Sequence, residues 1–199
     1  MAETDEPSAS WPVHLRGVTE SVVTTRGPKG RWNLAALGLR DHDPVTARTW
    51  GNTRTRKNFD REAEGYVAFT ADPVDFVDAA LAVRVLDDPI LPSADAWVRV
   101  DVDRTRKGES GGTRWEEWEL SPVESKVERE VVATINRGYN AVIEATVAAS
   151  RLDVPAYDTD TLLERLRHLE GVVQRCGGQS DREAFDRLST LSDWRERTE

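Results

Sequence analysis

The segment Gly51-Asn52-Thr53-Arg54-Thr55-Arg56-Lys57-Asn58 concentrates groups that bind anions. A β-branched run, Val45 to Trp50, precedes it, and Asn52 or Thr53 is a natural helix N-cap, so a strand passes into a helix through a glycine. The first turn of a helix leaves backbone N–H groups without partners. Here two threonine hydroxyls and three cations surround them. Amides and helix dipole favour a phosphate, hydroxyls donate to its oxygens, and an arginine clamps it through two parallel bonds. The same residues suit an ordinary capped surface helix whose arginines point to water, and residue types alone leave both readings open.

Other chemistries find little footing. His14, His42 and His168 stand far apart and none has metal-ligand spacing with acids. His168, among charged neighbours on a predicted helix, reads as a surface residue. Cys176, the one cysteine, excludes an internal disulfide and a thiolate cluster for zinc. There is no nucleophile elbow, P-loop or dinucleotide glycine fingerprint. Acids are too abundant for any one carboxylate pair to stand out.

The elements that would position the anion segment are mostly short strands. Val18 to Thr25 reads as a strand, Arg26 to Gly30 as a turn, and Trp32 to Leu39 as the returning strand. Val45 to Trp50, Tyr66 to Phe69, Ala96 to Val102 and Arg114 to Leu120 are further strands. The run from Arg106 to Thr113 is a loop between the last two. Asp72-Pro73 opens a helix through Leu81. Strands separated by turns, without a βαβ rhythm, predict an antiparallel barrel. Ser121-Pro122-Val123-Glu124 reads as a capping box, predicting a long helix to Arg151 with an apolar stripe at Val127, Val131, Ile135, Val142 and Ala149. A polar stripe, Arg137, Asn140, Glu144 and Arg151, has Asn136 beside it. Two more helices follow, over 159–175 and 181–197, the second opened by a capping box from Ser180 to Glu183. The expected organisation is an acidic, disordered tail over residues 1–10, a barrel over 11–121 and a helical subdomain over 122–199.

Composition narrows the setting. The 199 residues hold 36 acids against 27 bases, a net charge of −9, and lysine is confined to positions 29, 57, 107 and 126. Acid-rich, lysine-poor chains resemble proteins adapted to molar salt, where carboxylates keep a hydrated, mutually repelling surface. A basic partner is the other reading, disfavoured because the acids are spread along the chain. Nucleic-acid binding through a basic face is excluded on the same ground. The polar start MAETDEPSAS and the lack of an apolar run of roughly 18 residues point to a soluble, cytoplasmic protein rather than a secreted or membrane one.

Trp32 to Leu39 after a β-branched strand, then Gly51 to Phe59, then Glu64 to Pro73, resembles the FMN-binding split-barrel superfamily of flavin reductases. Within it the chain most resembles an archaeal family of unknown function. The shared pieces are Asn33 to Gly38, Thr53 to Asn58, and the run Asn136 to Ala145, and the likeness extends over about Gly17 to Leu152. It implies an α+β fold, an antiparallel split β-barrel with a C-terminal helical subdomain, and FMN as cofactor. Thr53, Arg54 and Thr55 would hold the phosphate, and Asn58 would brace that segment or reach the ribityl chain. Asn33, Leu34 and Ala35 would border the isoalloxazine, partly through backbone groups. Asn136 and Asn140 could approach the site or serve packing between elements. A proline expected in the second strand is replaced here by Ala36 or Leu37, so the backbone beside the ring is expected to differ.

The resemblance also implies a homodimer, and a flavin-dependent oxidoreductase with a small or cofactor-like electron partner. A non-catalytic flavin binder and an interaction protein with an empty pocket are the other function classes. Trp50 beside the phosphate segment is expected in the core. Trp115 and Trp118, three apart on a strand, are expected on opposite faces.

Overall fold

The computed structural model describes residues 9–198. The acidic tail expected over 1–10 therefore lies outside the described residues, apart from Ala9 and Ser10. The described chain runs β1 (Val18–Arg26), β2 (Trp32–Arg40), β3 (Thr46–Trp50), α1 (Arg54–Glu62), β4 (Glu64–Phe69), α2 (Pro73–Leu81), β5 (Val85–Leu86), β6 (Ala96–Ser110), β7 (Thr113–Val127), α3 (Arg137–Ala149), α4 (Thr159–Cys176) and α5 (Gln179–Ser192). It divides into two compact units, one of residues 9–71 and 84–131, the other of residues 72–83 and 132–198.

The first unit is a closed antiparallel barrel. Six strands follow the order β1-β4-β6-β7-β3-β2, and pairing of β1 with β2 closes the ring, while β5 adds to the start of β2. Period-two alternation sends one face inward: Val23 on β1, Leu37 and Leu39 on β2, Ala47 on β3, Val67 on β4, Val98 and Val100 on β6, and Trp118 and Leu120 on β7 are all buried together. Each buried Val or Leu among them contributes roughly 1.5–3 kcal/mol of hydrophobic stabilisation. The fold is thus an antiparallel split β-barrel with C-terminal helices, as the sequence led us to expect.

Two stretches differ from the sequence reading. The predicted loop at 106–113 is strand: β6 and β7 extend to Ser110 and Thr113, joined by Gly111-Gly112, both with positive φ, which suits a two-residue turn matched to strand twist. The helix predicted from Ser121 is strand to Val127. Pro122 opposes Val100 beside an irregularity in the β6–β7 register, where a missing N–H is tolerated. The helix proper begins at Arg137, and the supposed stripe residues Val131 and Ile135 are exposed.

The second unit packs α2, α3, α4 and α5 around Val77, Val142, Ala145, Leu166, Val173, Phe185 and Leu188. Asp72 caps α2, accepting from the N–H groups of Val74 and Asp75. The last helix starts at Gln179, not at 181, with Asp181 reaching back to the N–H of Gly178 at 2.8 Å. Among the described residues no helix is long and apolar enough to cross a membrane.

Candidate functional site

Thr53 is the N-cap of α1, its Oγ1 accepting from the N–H of Arg56 at 3.2 Å. Gly51, at φ +67°, turns the chain out of β3. The helix crosses the mouth of the barrel and is pinned there by Phe59, which meets Trp118 edge-on with ring centroids 5.3 Å apart. Helical spacing then puts Thr55 and Asn58 on the same buried side, toward β1 and β2.

Asn58 donates from Nδ2 to Thr25 Oγ1 at 2.9 Å and accepts at Oδ1 from Arg61 at 3.0 Å. Arg61 also donates to the carbonyl of Arg26. Of the two roles foreseen for Asn58, bracing is what its contacts provide. Thr25 stands directly opposite Asn33 in the β1–β2 register, so their side chains share the inward face. A polar group of Thr25, Asn33, Thr55 and Asn58 therefore lies on the α1 side of the barrel mouth, and each is more than nine-tenths buried. Asn33 and Thr55 have no hydrogen-bond partner for their side chains among the described residues. Their polar atoms keep contact with solvent, since no enclosed side-chain N or O among the described residues lacks a partner, so this face presents two uncommitted polar groups at its accessible edge.

The remaining expected residues divide. Arg54 is exposed and pairs with no acid among the described residues. Ala35 shares the face of Asn33, but Leu34 alternates to the other face, buried, with its N–H given to the carbonyl of Arg84 at 3.0 Å. Asn136 and Asn140 belong to the helical unit. Asn136 caps α3, its Oδ1 accepting from Gly138 at 2.8 Å and Tyr139 at 3.1 Å, and Asn140 is exposed. Trp50 is not a core residue: it is 45% exposed, opposite Trp115 on the outer side of β3 and β7. Trp118 is buried and Trp115 half-buried under the Arg48 guanidinium, so those two do take opposite faces.

Sequence reasoning missed Thr25 and Arg61, which join the site through register and helix spacing. It also missed the cavity of about 990 Å³ that α1 forms with the β6–β7 ribbon on its other flank. Among the described residues no cluster of His, Cys, Asp and Glu could hold a metal ion.

Family models then connect this geometry with known proteins. The N-terminal domain of the protein family of unknown function DUF447 matches residues 19–129, and the family's second model matches 136–190. The chain belongs to the DUF447 family. A crystal structure of an FMN-bound DUF447 protein from Methanosarcina mazei is similar to it at 23% identity and TM-score 0.76, covering 89% of this chain and 96% of that one. The styrene monooxygenase flavin reductase of Pseudomonas putida S12 is more distant, at 14% identity and TM-score 0.41 over 56% of this chain and 79% of that one. A flavoredoxin from Methanosarcina acetivorans stands at 12% and 0.41, over 62% and 79%. No curated protein matches. Likeness to the Methanosarcina mazei structure speaks for a DUF447 fold shared across nearly the whole chain.

Proposed function

We propose that this DUF447 protein binds FMN at the α1 end of its barrel and works as a flavin-dependent oxidoreductase. The observation that carries the reading is the pair of uncommitted, solvent-reaching polar side chains, Asn33 and Thr55, on the face braced by Asn58 and Thr25. Support comes from the family relative described as FMN-bound.

The residues present fit such a group. Thr53 accepts from Arg56 yet keeps its own O–H to donate, Thr55 has an uncommitted hydroxyl, and Arg54 an uncommitted guanidinium. Together they offer donors to one terminal phosphate at the start of α1. No glycine-rich turn is present for a pyrophosphate, which favours FMN over FAD or a nicotinamide dinucleotide. Asn33 offers both an amide donor and an acceptor, which suits a heteroaromatic edge carrying N–H and C=O groups. Asn58 holds the helix in register with β1, so its part is to position Thr55. When bound, FMN supplies hydride and single-electron chemistry, and the chain supplies binding and orientation. Neither Asn136, which caps its own helix, nor Asn140 enters this reading.

A homodimer is part of the proposal, with a small or cofactor-like molecule as electron partner in a soluble, cytoplasmic setting. Light scattering at high salt is expected to give twice the chain mass, and a monomer mass with flavin bound would remove the dimer.

Reconstitution with FMN is expected to give a yellow protein with quenched flavin fluorescence. Arg54→Ala with Thr55→Ala should weaken FMN by about 2–4 kcal/mol, a charge-assisted bond plus a neutral one, and leave riboflavin binding little changed. Equal losses for both ligands, or a preference for FAD, would defeat the phosphate assignment. Anaerobic mixing with reduced nicotinamides and reduced deazaflavin tests turnover. If no donor reduces the bound flavin faster than free FMN, the protein is a flavin binder.

A further inference from the structure

Helix α1 offers different chemistry on its two flanks. Asn58 and Arg61 turn to β1, whereas Arg56 and Asp60 turn to the β6–β7 ribbon. On that second flank lies the cavity of about 990 Å³, between Asn52 and Arg56 on one side and the ribbon's outer half on the other. Its volume is at the upper end of the roughly 300–1,000 Å³ usual for small-molecule clefts, far more than a single inorganic ion requires.

The ribbon wall is charged on one face. Lys107 stands opposite Glu116, and Glu109 opposite Arg114, so all four side chains share that face. Glu116 is already committed: it pairs with Arg56 at 3.1 Å and Arg104 at 3.3 Å, and those arginines also hold Asp60 at 3.3 and 2.9 Å. Asn52 accepts a further bond from Arg56 at 2.9 Å, which fixes that guanidinium at the rim. Lys107 and Arg114 pair with no acid among the described residues. The lining thus holds three basic groups, Arg56, Lys107 and Arg114, against two acidic ones, Glu109 and Glu116, on a chain whose net charge is −9. Trp115, one residue out of that alternation, backs the wall from its other face. Its indole lies so close over Gly108 that a Cβ there would fall 2.5 Å from the ring, and Arg48 stacks 4.3 Å from its centroid, so the wall is held rigidly.

We propose that this cavity is a second ligand site, taking an organic phosphate of sugar-phosphate or nucleotide size on the flank of α1 away from Asn33 and Thr55. Lys107 and Arg114 bind the phosphate, and Asn52 and Arg56 supply polar contacts to the remainder. The site does not depend on the flavin reading.

The test is calorimetric titration of the full chain, flavin-free and FMN-loaded, with AMP, ribose 5-phosphate and adenosine at low ionic strength. AMP is expected to bind in both states, with adenosine at least tenfold weaker. Lys107→Glu with Arg114→Glu is expected to weaken AMP tenfold or more and leave FMN affinity unchanged. The Lys107→Gln with Arg114→Gln variant, milder toward folding, should lie between. Absence of binding by both phosphates, AMP affinity unchanged in the charge reversal, or competition between AMP and FMN for one site would each overturn the proposal. Failure to bind FMN would sink the flavin reading and leave this titration decisive on its own.

Discussion

Replacing Asn33 with leucine should separate stability from function. The side chain keeps its heavy-atom count and branching, with somewhat more bulk, and an uncommitted amide disappears from a site that is 8% exposed. An unpaired buried polar group costs about 1–3 kcal/mol, and removing it can stabilise a fold. Because the Asn33 amide reaches water, about 1 kcal/mol is the ceiling, at most about 2–4 °C in Tm for a chain of this length. The flavin would lose at least one hydrogen bond and keep a polar atom unmatched, about 1–2 kcal/mol, so FMN should bind roughly 5- to 30-fold more weakly. Thr55→Val should behave alike, being nearly isosteric and equally without a partner. Circular dichroism melts of the flavin-free chain measure the first quantity, and quenching of flavin fluorescence the second. A variant that melts well below the parent and binds FMN as tightly would refute the argument, since the amide would then serve the fold.

Other perturbations probe other parts. Gly138→Ala should cost about 3 kcal/mol or more, because the new Cβ would lie 2.2 Å from the Gly177 backbone, which cannot yield as a side chain can; a melting temperature within a degree of the parent would contradict it. Screening a net charge of −9 should raise the melting temperature up to molar salt, and a flat or falling trend would remove the halophilic reading. The Arg197 hydrogen bonds hold Asp153 below its ordinary pKa of 3.8. Its folded value is therefore the lower one, so its contribution is present above 3.8 and lost as pH falls through the depressed value. The gap in melting temperature between parent and Asp153→Asn should be present at pH 6 and close below that range; a gap unchanged at pH 2 would break the linkage.

Where local chemistry governs, the sequence could be read closely. Thr53 caps α1 and Asp72 caps α2, because a cap is decided within four residues. β-Branched runs and the turn residues between them placed β1, β2 and β3 within a residue or so. Ser121 to Glu124 failed for the opposite reason. Its residues have the types of a helix start, yet its partners Asp101 to Arg99 on β6, with the irregularity at Val100, decide its state from 20 or more residues away. Trp50 was expected inside because tryptophan usually is, but the parity of β3, fixed by Ala47 and Thr49 facing inward, turns it out. At the site, Thr53 to Asn58 could be singled out by composition. Thr25 could not: its place follows from the register of β1 on β2 and from one hydrogen bond across 33 residues.

Helix α2 sits within the barrel's stretch of sequence but contributes Val77 to the helical core, alongside residues that follow position 140. A ribosome releases α2 some sixty residues before α3, so Val77, with Val74 and Leu81 beside it, must wait uncovered during synthesis. The same holds for any cloned fragment ending near residue 130, the limit of the family's N-terminal model. Such a fragment would carry the whole barrel together with an orphaned apolar helix, and should aggregate unless Asp72 to Val83 is replaced by a polar linker.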